Sequence, residues 1–70
     1  MNEYVLHFST MIKELRLDKK LTQTELANIL GVAQSTIARL EKGVYSPDLL
    51  TLIAYAKYFK VSIDDLLGWN

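Results

Sequence analysis

Gln34, Ser35, Ala38, Arg39 and Lys42 share one side of a helix if the chain turns about 100° per residue there, while Thr36, Ile37 and Leu40 share the other. The first side offers an amide, a hydroxyl, a methyl, a guanidinium and an ammonium. These groups match flat hydrogen-bonding edges: an amide can pair two bonds to adenine, a guanidinium two to guanine, a serine either, and an alanine methyl can meet that of thymine. Each good bidentate pair contributes about 1 to 3 kcal/mol of discrimination. Gln34, Ser35, Ala38 and Arg39 are therefore candidate base readers. A solvated helix face has the same composition, so the surroundings must decide between the two.

Other chemistry finds little support. His7 is the single histidine, it stands beside Phe8, and there is no cysteine. No acidic cluster accompanies it to complete a metal or nucleophile site. It reads as a histidine at the edge of the fold. Asp64 and Asp65 are adjacent and so lie on different helix faces, and no glycine-rich phosphate loop occurs. The chain is expected to be no enzyme and to need no metal and no cofactor. Without cysteine there is neither a disulfide framework nor a thiolate zinc site. No apolar run approaches the roughly 20 residues of a membrane span, and nothing resembles a signal peptide. Met1 reads as a natural start and the cytoplasm as the expected location.

Two short helices frame the polar side. Thr22 and Glu25 have the spacing of a capping box, which places a helix start at Gln23 ahead of Leu26, Ile29 and Leu30. Gly31 stands where that period stops, and glycine reaches the left-handed conformation that ends a helix. A second period, with Ile37 and Leu40, runs from about Gln34 to Lys42 and stops at Gly43. Helices this short are marginal alone, so each must bury its stripe against the other and the rest of the chain. Ala27 permits a close crossing, and Ile37, beyond the Gly31 turn, supplies the apolar contact; this is the spacing of a helix-turn-helix.

In these residues the chain resembles the lambda-repressor-like (Cro/cI-type, Xre) helix-turn-helix domains. The resemblance extends from the Leu21, Thr22, Gln23, Glu25, Leu26, Ala27 opening through Gly31, the Gln34 to Gly43 segment, Ser46 and Pro47 to Val61 through Leu67. It implies an all-α, five-helix domain that reads the major groove of double-stranded DNA with its third helix, as a small transcriptional regulator, with repression expected ahead of activation. It implies that Gln23 braces the DNA backbone and bonds Gln34, and that Lys42 and the chain around Gly43 to Tyr45 meet phosphates. The start of the second helix is also a phosphate site on physical grounds, because free amides and the dipole's positive end gather there. Tyr45 could donate its hydroxyl to a phosphate or cover the core edge. The family places a partly buried ion pair at positions matching Arg16 and Glu41; two unrelated surface charges would contribute little. Lys20 and Lys60 stand where the family often has glycine, and Ala33 where a serine or threonine cap would begin the third helix.

Seventy residues make one domain, spanning 1–70, which on folding buries on the order of 60% of its unfolded surface. A first helix is expected from about Val5 to Lys19, with Val5, Phe8, Ile12 and Leu15 inward; alternatively Ser9 caps it and residues 1–8 form an arm. Ser46 is expected to cap a fourth helix with Pro47 in its first turn, and Leu49, Leu52, Ile53, Ala56 and Phe59 as its core face. Ser62 should cap a last short helix carrying Ile63, Leu66 and Leu67, with Asp64 and Asp65 favoured by its dipole.

Eight basic and eight acidic residues leave no net charge, which is unlike a typical nucleic-acid binder. Distribution softens the objection: Lys13, Arg16, Lys19, Lys20, Arg39 and Lys42 lie in the middle, and after Lys60 come Asp64 and Asp65 with no cation. Leu50, Ala54 and Tyr58 form a second apolar stripe, extended by Leu67 and Trp69. A monomer normally avoids such a patch, so Leu50, Tyr58, Leu67 and Trp69 are a candidate homodimer surface, unless Tyr4 and Val5 fold over it. The alternative function is a protein-interaction module of the same fold, antitoxin-like or scaffolding, which the neutral charge and spare apolar surface favour.

Overall fold

Helix starts in this chain are set mostly by short polar side chains that take over free amides. The computed structural model describes residues 2–69. Along them run α1 (Glu3–Asp18), α2 (Gln23–Leu30), α3 (Gln34–Lys42), α4 (Leu49–Phe59) and α5 (Ile63–Leu67), with no strand among the described residues.

Asn2 caps α1, its Oδ1 accepting from the amides of Tyr4 at 2.7 Å and Val5 at 3.4 Å. The helix therefore starts two residues before the apolar period that marks it in the sequence. Ser9 is not a cap: it is buried within α1 and its hydroxyl donates back to the Leu6 carbonyl at 2.8 Å. Residues 3–8 are helix and not an arm; Met1, the natural start of the sequence reading, lies outside the described residues.

The capping box of α2 forms in both directions: the Glu25 amide donates to Thr22 Oγ1 at 3.0 Å and the Thr22 amide to Glu25 Oε1 at 2.8 Å. Gly31 ends α2 at φ +73° with open space where a side chain would begin, so its role is conformational. Gly43 ends α3 at φ +76°, and a Cβ there would meet Ser9 Oγ at 2.9 Å. Glycine at 43 thus serves both the turn and the approach of α3 to α1. Between them, α3 begins at Ala33 with no side-chain cap; the Ala33 carbonyl accepts from the Thr36 amide at 3.0 Å and the Ile37 amide at 3.4 Å. The turns before α2 and α5 hold Lys20 at φ +57° and Lys60 at φ +56°, left-handed conformations that are uncommon away from glycine.

The fourth helix departs from expectation. Asp48 caps α4, accepting from the Thr51 amide at 2.8 Å, and Ser46 and Pro47 lie in the preceding loop. Asp48 stands three residues before Thr51, the spacing a cap needs. The core face is rotated as well. Leu49 is 68% exposed, and Thr51, Tyr55 and Phe59 face inward with Leu52 and Ala56 beside them. Ser62 caps α5 as expected, accepting from the Asp65 amide at 3.0 Å.

One core joins all five helices: Phe8 and Ile12 from α1, Leu26 and Ala27 from α2, Ile37 and Leu40 from α3, Tyr55 and Phe59 from α4, and Leu66 from α5. The Tyr55 ring meets Phe8 edge-on at 5.6 Å and stacks with Phe59 at 6.0 Å. Leu30 packs against the core, but Ile29, expected on the same inward stripe, is 46% exposed. The consequence for function is a buried inner side of α3, held between α2 and α1, and an outer side that is free.

Candidate nucleic-acid interface

Burying Ile37 and Leu40 turns the opposite side of α3 outward. Gln34, Ser35, Arg39 and Lys42 are exposed, and Ala38 is half-buried at the edge. The nine residues of α3 make a rod roughly 13 Å long, a shape that a major groove about 12 Å wide admits.

Gln34 is held in place before any ligand arrives. Its Nε2 donates to Gln23 Oε1 at 2.7 Å, across the turn between α2 and α3. Gln23 Nε2 in turn donates to Glu41 Oε1 at 3.2 Å. Glu41 pairs with Arg16: Nε to Oε2 at 2.7 Å and Nη2 to Oε1 at 3.0 Å, with side chains 9% and 4% exposed. The third arm of the guanidinium, Nη1, donates to the Leu21 carbonyl at 2.7 Å, pinning the turn ahead of α2. A continuous run of hydrogen bonds therefore links a buried ion pair to the first residue of the exposed helix. Hydrogen bonding to Glu41 holds the Arg16 guanidinium above its ordinary pKa against the opposing effect of burial.

The buried Tyr55 is within electrostatic reach of this pair. Burial and then the Glu41 charge push its hydroxyl pKa up, and its oxygen finds no protein partner.

Among the expected phosphate residues, Gln23 stands in the first turn of α2 and Lys42 and Tyr45 are exposed. Gly43 is different: it is buried, and its amide donates to the Leu40 carbonyl at 3.2 Å, so that amide is engaged in closing α3. The Tyr45 ring lies beneath Arg39, whose guanidinium carbon is 5.4 Å from the ring centroid, and Arg39 Nε reaches the Ser35 carbonyl at 3.4 Å. Sequence reasoning paired neither Tyr45 with Arg39 nor Gln23 with Glu41. The first pair spans a left-handed turn; the second joins residues eighteen apart, and only the ion pair already placed at Glu41 pointed to it.

The four residues of the candidate dimer surface are not equivalent. Leu50 is 77% and Trp69 63% exposed. Tyr58 and Leu67 are half-buried against the chain's own core, Tyr58 lying edge-on to Phe59 at 4.9 Å. Leu67 and Trp69 line an open groove of about 640 Å³ together with Tyr4, Val5, Pro47 and Leu52. Tyr4 and Val5 form one wall of it and do not cover it. His7 is exposed, with Nε2 3.0 Å from the Asp65 carbonyl; no cluster of three metal-ligating side chains occurs among the described residues. Among the described residues no helix is long and apolar enough to cross a membrane.

Comparison with known proteins agrees with this geometry. Residues 12–66 match the protein family described as Helix-turn-helix. A cryptic phage CTXphi transcriptional repressor of Vibrio cholerae is 42% identical over 61 residues, covering 87% of this chain and 55% of the repressor. An HTH-type transcriptional regulator of Archaeoglobus fulgidus is 44% identical over 57 residues, covering 81% of this chain and 80% of its own. A transcriptional activator of Enterococcus faecalis is 37% identical over 63 residues, covering 90% of this chain but only 31% of the activator. The chain thus spans about half of the phage repressor and a third of the activator. Among solved structures, the restriction-modification controller protein C.AhdI of Aeromonas hydrophila superposes with a TM-score of 0.78 at 26% identity, over 89% of this chain and 94% of that one. The family match covers both helices of the motif, the buried ion pair's residues and the exposed side of α3, and the chain belongs to the helix-turn-helix family of lambda-repressor-like, Xre-type regulators.

Proposed function

We propose that the protein is a small transcriptional regulator that binds double-stranded DNA sequence-specifically, with α3 in the major groove. The observation that carries this reading is the exposed Gln34, whose amide is oriented by Gln23 while its Oε1 and second amide hydrogen stay free. That is the pair of groups a bidentate contact to adenine uses. Ser35, Ala38 and Arg39 are the other base readers, and Gln23, Lys42 and the chain just after Gly43 hold the backbone; the Gly43 amide itself takes no part. The reading needs no cofactor, metal or enzymatic chemistry, and a target of this kind places the protein in the cytoplasm. Repression is the reading favoured by the relative named as a repressor, the more similar of the two whose names state a direction.

Selection from random duplexes, followed by gel shifts with Gln34→Ala and Arg39→Ala, tests it. Each variant should keep the helical spectrum and lose preference at its own base pair, by roughly 5- to 150-fold. A folded protein that prefers no duplex even at low salt would overturn the reading. Such a result would favour the second one, a protein-interaction module, which the zero net charge and the open apolar groove support.

The protein is further proposed to act as a two-fold dimer through α5 and the surface bearing Leu50, Tyr58, Leu67 and Trp69. Paired half-sites lie about 34 Å apart, and a protomer measuring 29 × 23 × 21 Å is of a size to present two copies of α3 at that spacing. Sedimentation at micromolar concentration should give a species of twice 8.0 kDa; a single 8.0 kDa species would remove the dimer.

A further inference from the structure

We propose that Tyr45 is the positioning residue for Arg39, fixing the guanidinium for base contact, and that it does not act by meeting phosphate. This deepens the DNA-binding reading and rests on it. The Arg39 guanidinium carbon lies 5.4 Å from the centre of the Tyr45 ring, within the roughly 6 Å over which a ring face attracts a cation. On its other flank Arg39 Nε donates to the Ser35 carbonyl at 3.4 Å, one turn back along α3. The side chain is thus held at two points, and both Nη groups remain available as a fork for the guanine edge. The loop delivers the ring: Gly43 turns the chain at φ +76°, and Tyr45, two residues on, folds back along α3 with half its surface still in solvent.

Arg39 needs such a support because of what else surrounds it. It lines a cleft of about 240 Å³ with Thr36, Tyr45, Pro47 and Asp48, and the Asp48 carboxylate, the cap of α4, is the charge in that cleft that would draw a free guanidinium inward. No ion pair between them forms. With the ring in place the guanidinium stays on the outer side of α3; an arginine ordered in advance loses less rotamer freedom on binding.

The test uses three variants on the duplex selected by the wild-type protein and on its single-base-pair changes. Tyr45→Phe keeps the ring and should keep both affinity and base preference. Tyr45→Leu should reduce discrimination at the base pair that Arg39→Ala relaxes, by about 2- to 5-fold, and should have no effect in an Arg39→Ala background. Uniform weakening by Tyr45→Phe across all duplexes would mean a hydroxyl on phosphate and would overturn the inference, as would unchanged preference in Tyr45→Leu. A readout without DNA separates this from the wider proposal. The Arg39 δ protons should show an upfield ring-current shift in the free protein that Tyr45→Leu abolishes. Absence of that shift refutes the contact whatever DNA does; its presence in a protein that prefers no duplex refutes base reading instead, and the positioning role with it.

Discussion

Because a carboxylate only accepts hydrogen bonds, Glu41 decides which end of the Gln23 amide faces it, and through Gln23 decides the same for Gln34. Gln23 must turn its NH2 to Glu41, so its oxygen faces Gln34, which must answer with its own NH2. A structural ion pair thereby sets the polarity of Gln34, the side chain proposed to read a base. Replacing Glu41 with glutamine removes the charge and leaves Arg16 buried without a counter-ion. Urea denaturation should show Glu41→Gln less stable by about 3 to 5 kcal/mol; a loss below about 1 kcal/mol would mean that the pair behaves as a surface one. Tyr55 is the opposite case. Its buried hydroxyl has no protein partner, and an unpaired buried hydroxyl costs about 1 to 3 kcal/mol. Tyr55→Phe keeps the ring contacts with Phe8 and Phe59 and should raise stability by about 1 kcal/mol, which the same denaturation series would detect; a drop of that size would show that the hydroxyl is satisfied.

Helix ends separate what was legible in the sequence from what was not. The bounds of α2 and α3 follow from Thr22, Glu25, Gly31 and Gly43 because caps and left-handed turns are local chemistry, complete within a few residues. Residues 34 to 42 are exposed on the side the periodicity assigns, since α3 is polar except for one stripe. Helix α4 reads Leu49 to Phe59 with apolar residues nearly all round, so no single stripe stands out, and the choice of Tyr55 over Leu49 is made by the Phe8 ring from outside the element. The sequence reading caps this helix at Ser46, and the hydrogen bond from the Thr51 amide places the cap at Asp48 instead. Two predictions belong here. Ala33→Ser supplies the cap that α3 lacks and should stabilise the fold by about 1 kcal/mol, seen as a higher melting temperature; no change would mean that the Ala33 carbonyl already suffices. Hydrogen bonds from the Thr51 side chain and amide hold the Asp48 carboxyl below its ordinary pKa. A carboxyl depressed by folding contributes stability above its unfolded pKa, near 3.9, and loses it as pH falls through the folded value. Asp48→Asn keeps an accepting oxygen but does not titrate, so the wild-type advantage in melting temperature should shrink between about pH 5 and pH 2. An advantage constant across that range would show that Asp48 gains nothing from its charge.

At the scale of the molecule, neutrality has to be reconciled with a polyanionic target. Arg16 is committed to Glu41, and the Lys19 ammonium lies 4.9 Å from the Tyr58 ring centre. The exposed cations on α3 are then Arg39 and Lys42, with the free amides at the start of α2 as a further anion site. This is a sparse electrostatic footprint, so affinity must come more from base contacts than from released counterions, and non-specific binding should be weak. If each protomer meets about four phosphates, log affinity should fall with log salt at a slope near −3.6 per protomer. Lys42→Ala should make that slope shallower by about 1 and weaken all duplexes alike, because a phosphate contact carries no base information. Titrations from low to moderate salt on the selected duplex and its single-base-pair changes would measure both effects. A slope unchanged by Lys42→Ala, or a changed base preference, would move Lys42 from the backbone-contacting set to the reading set and leave Gln23 and the start of α2 as the main phosphate site.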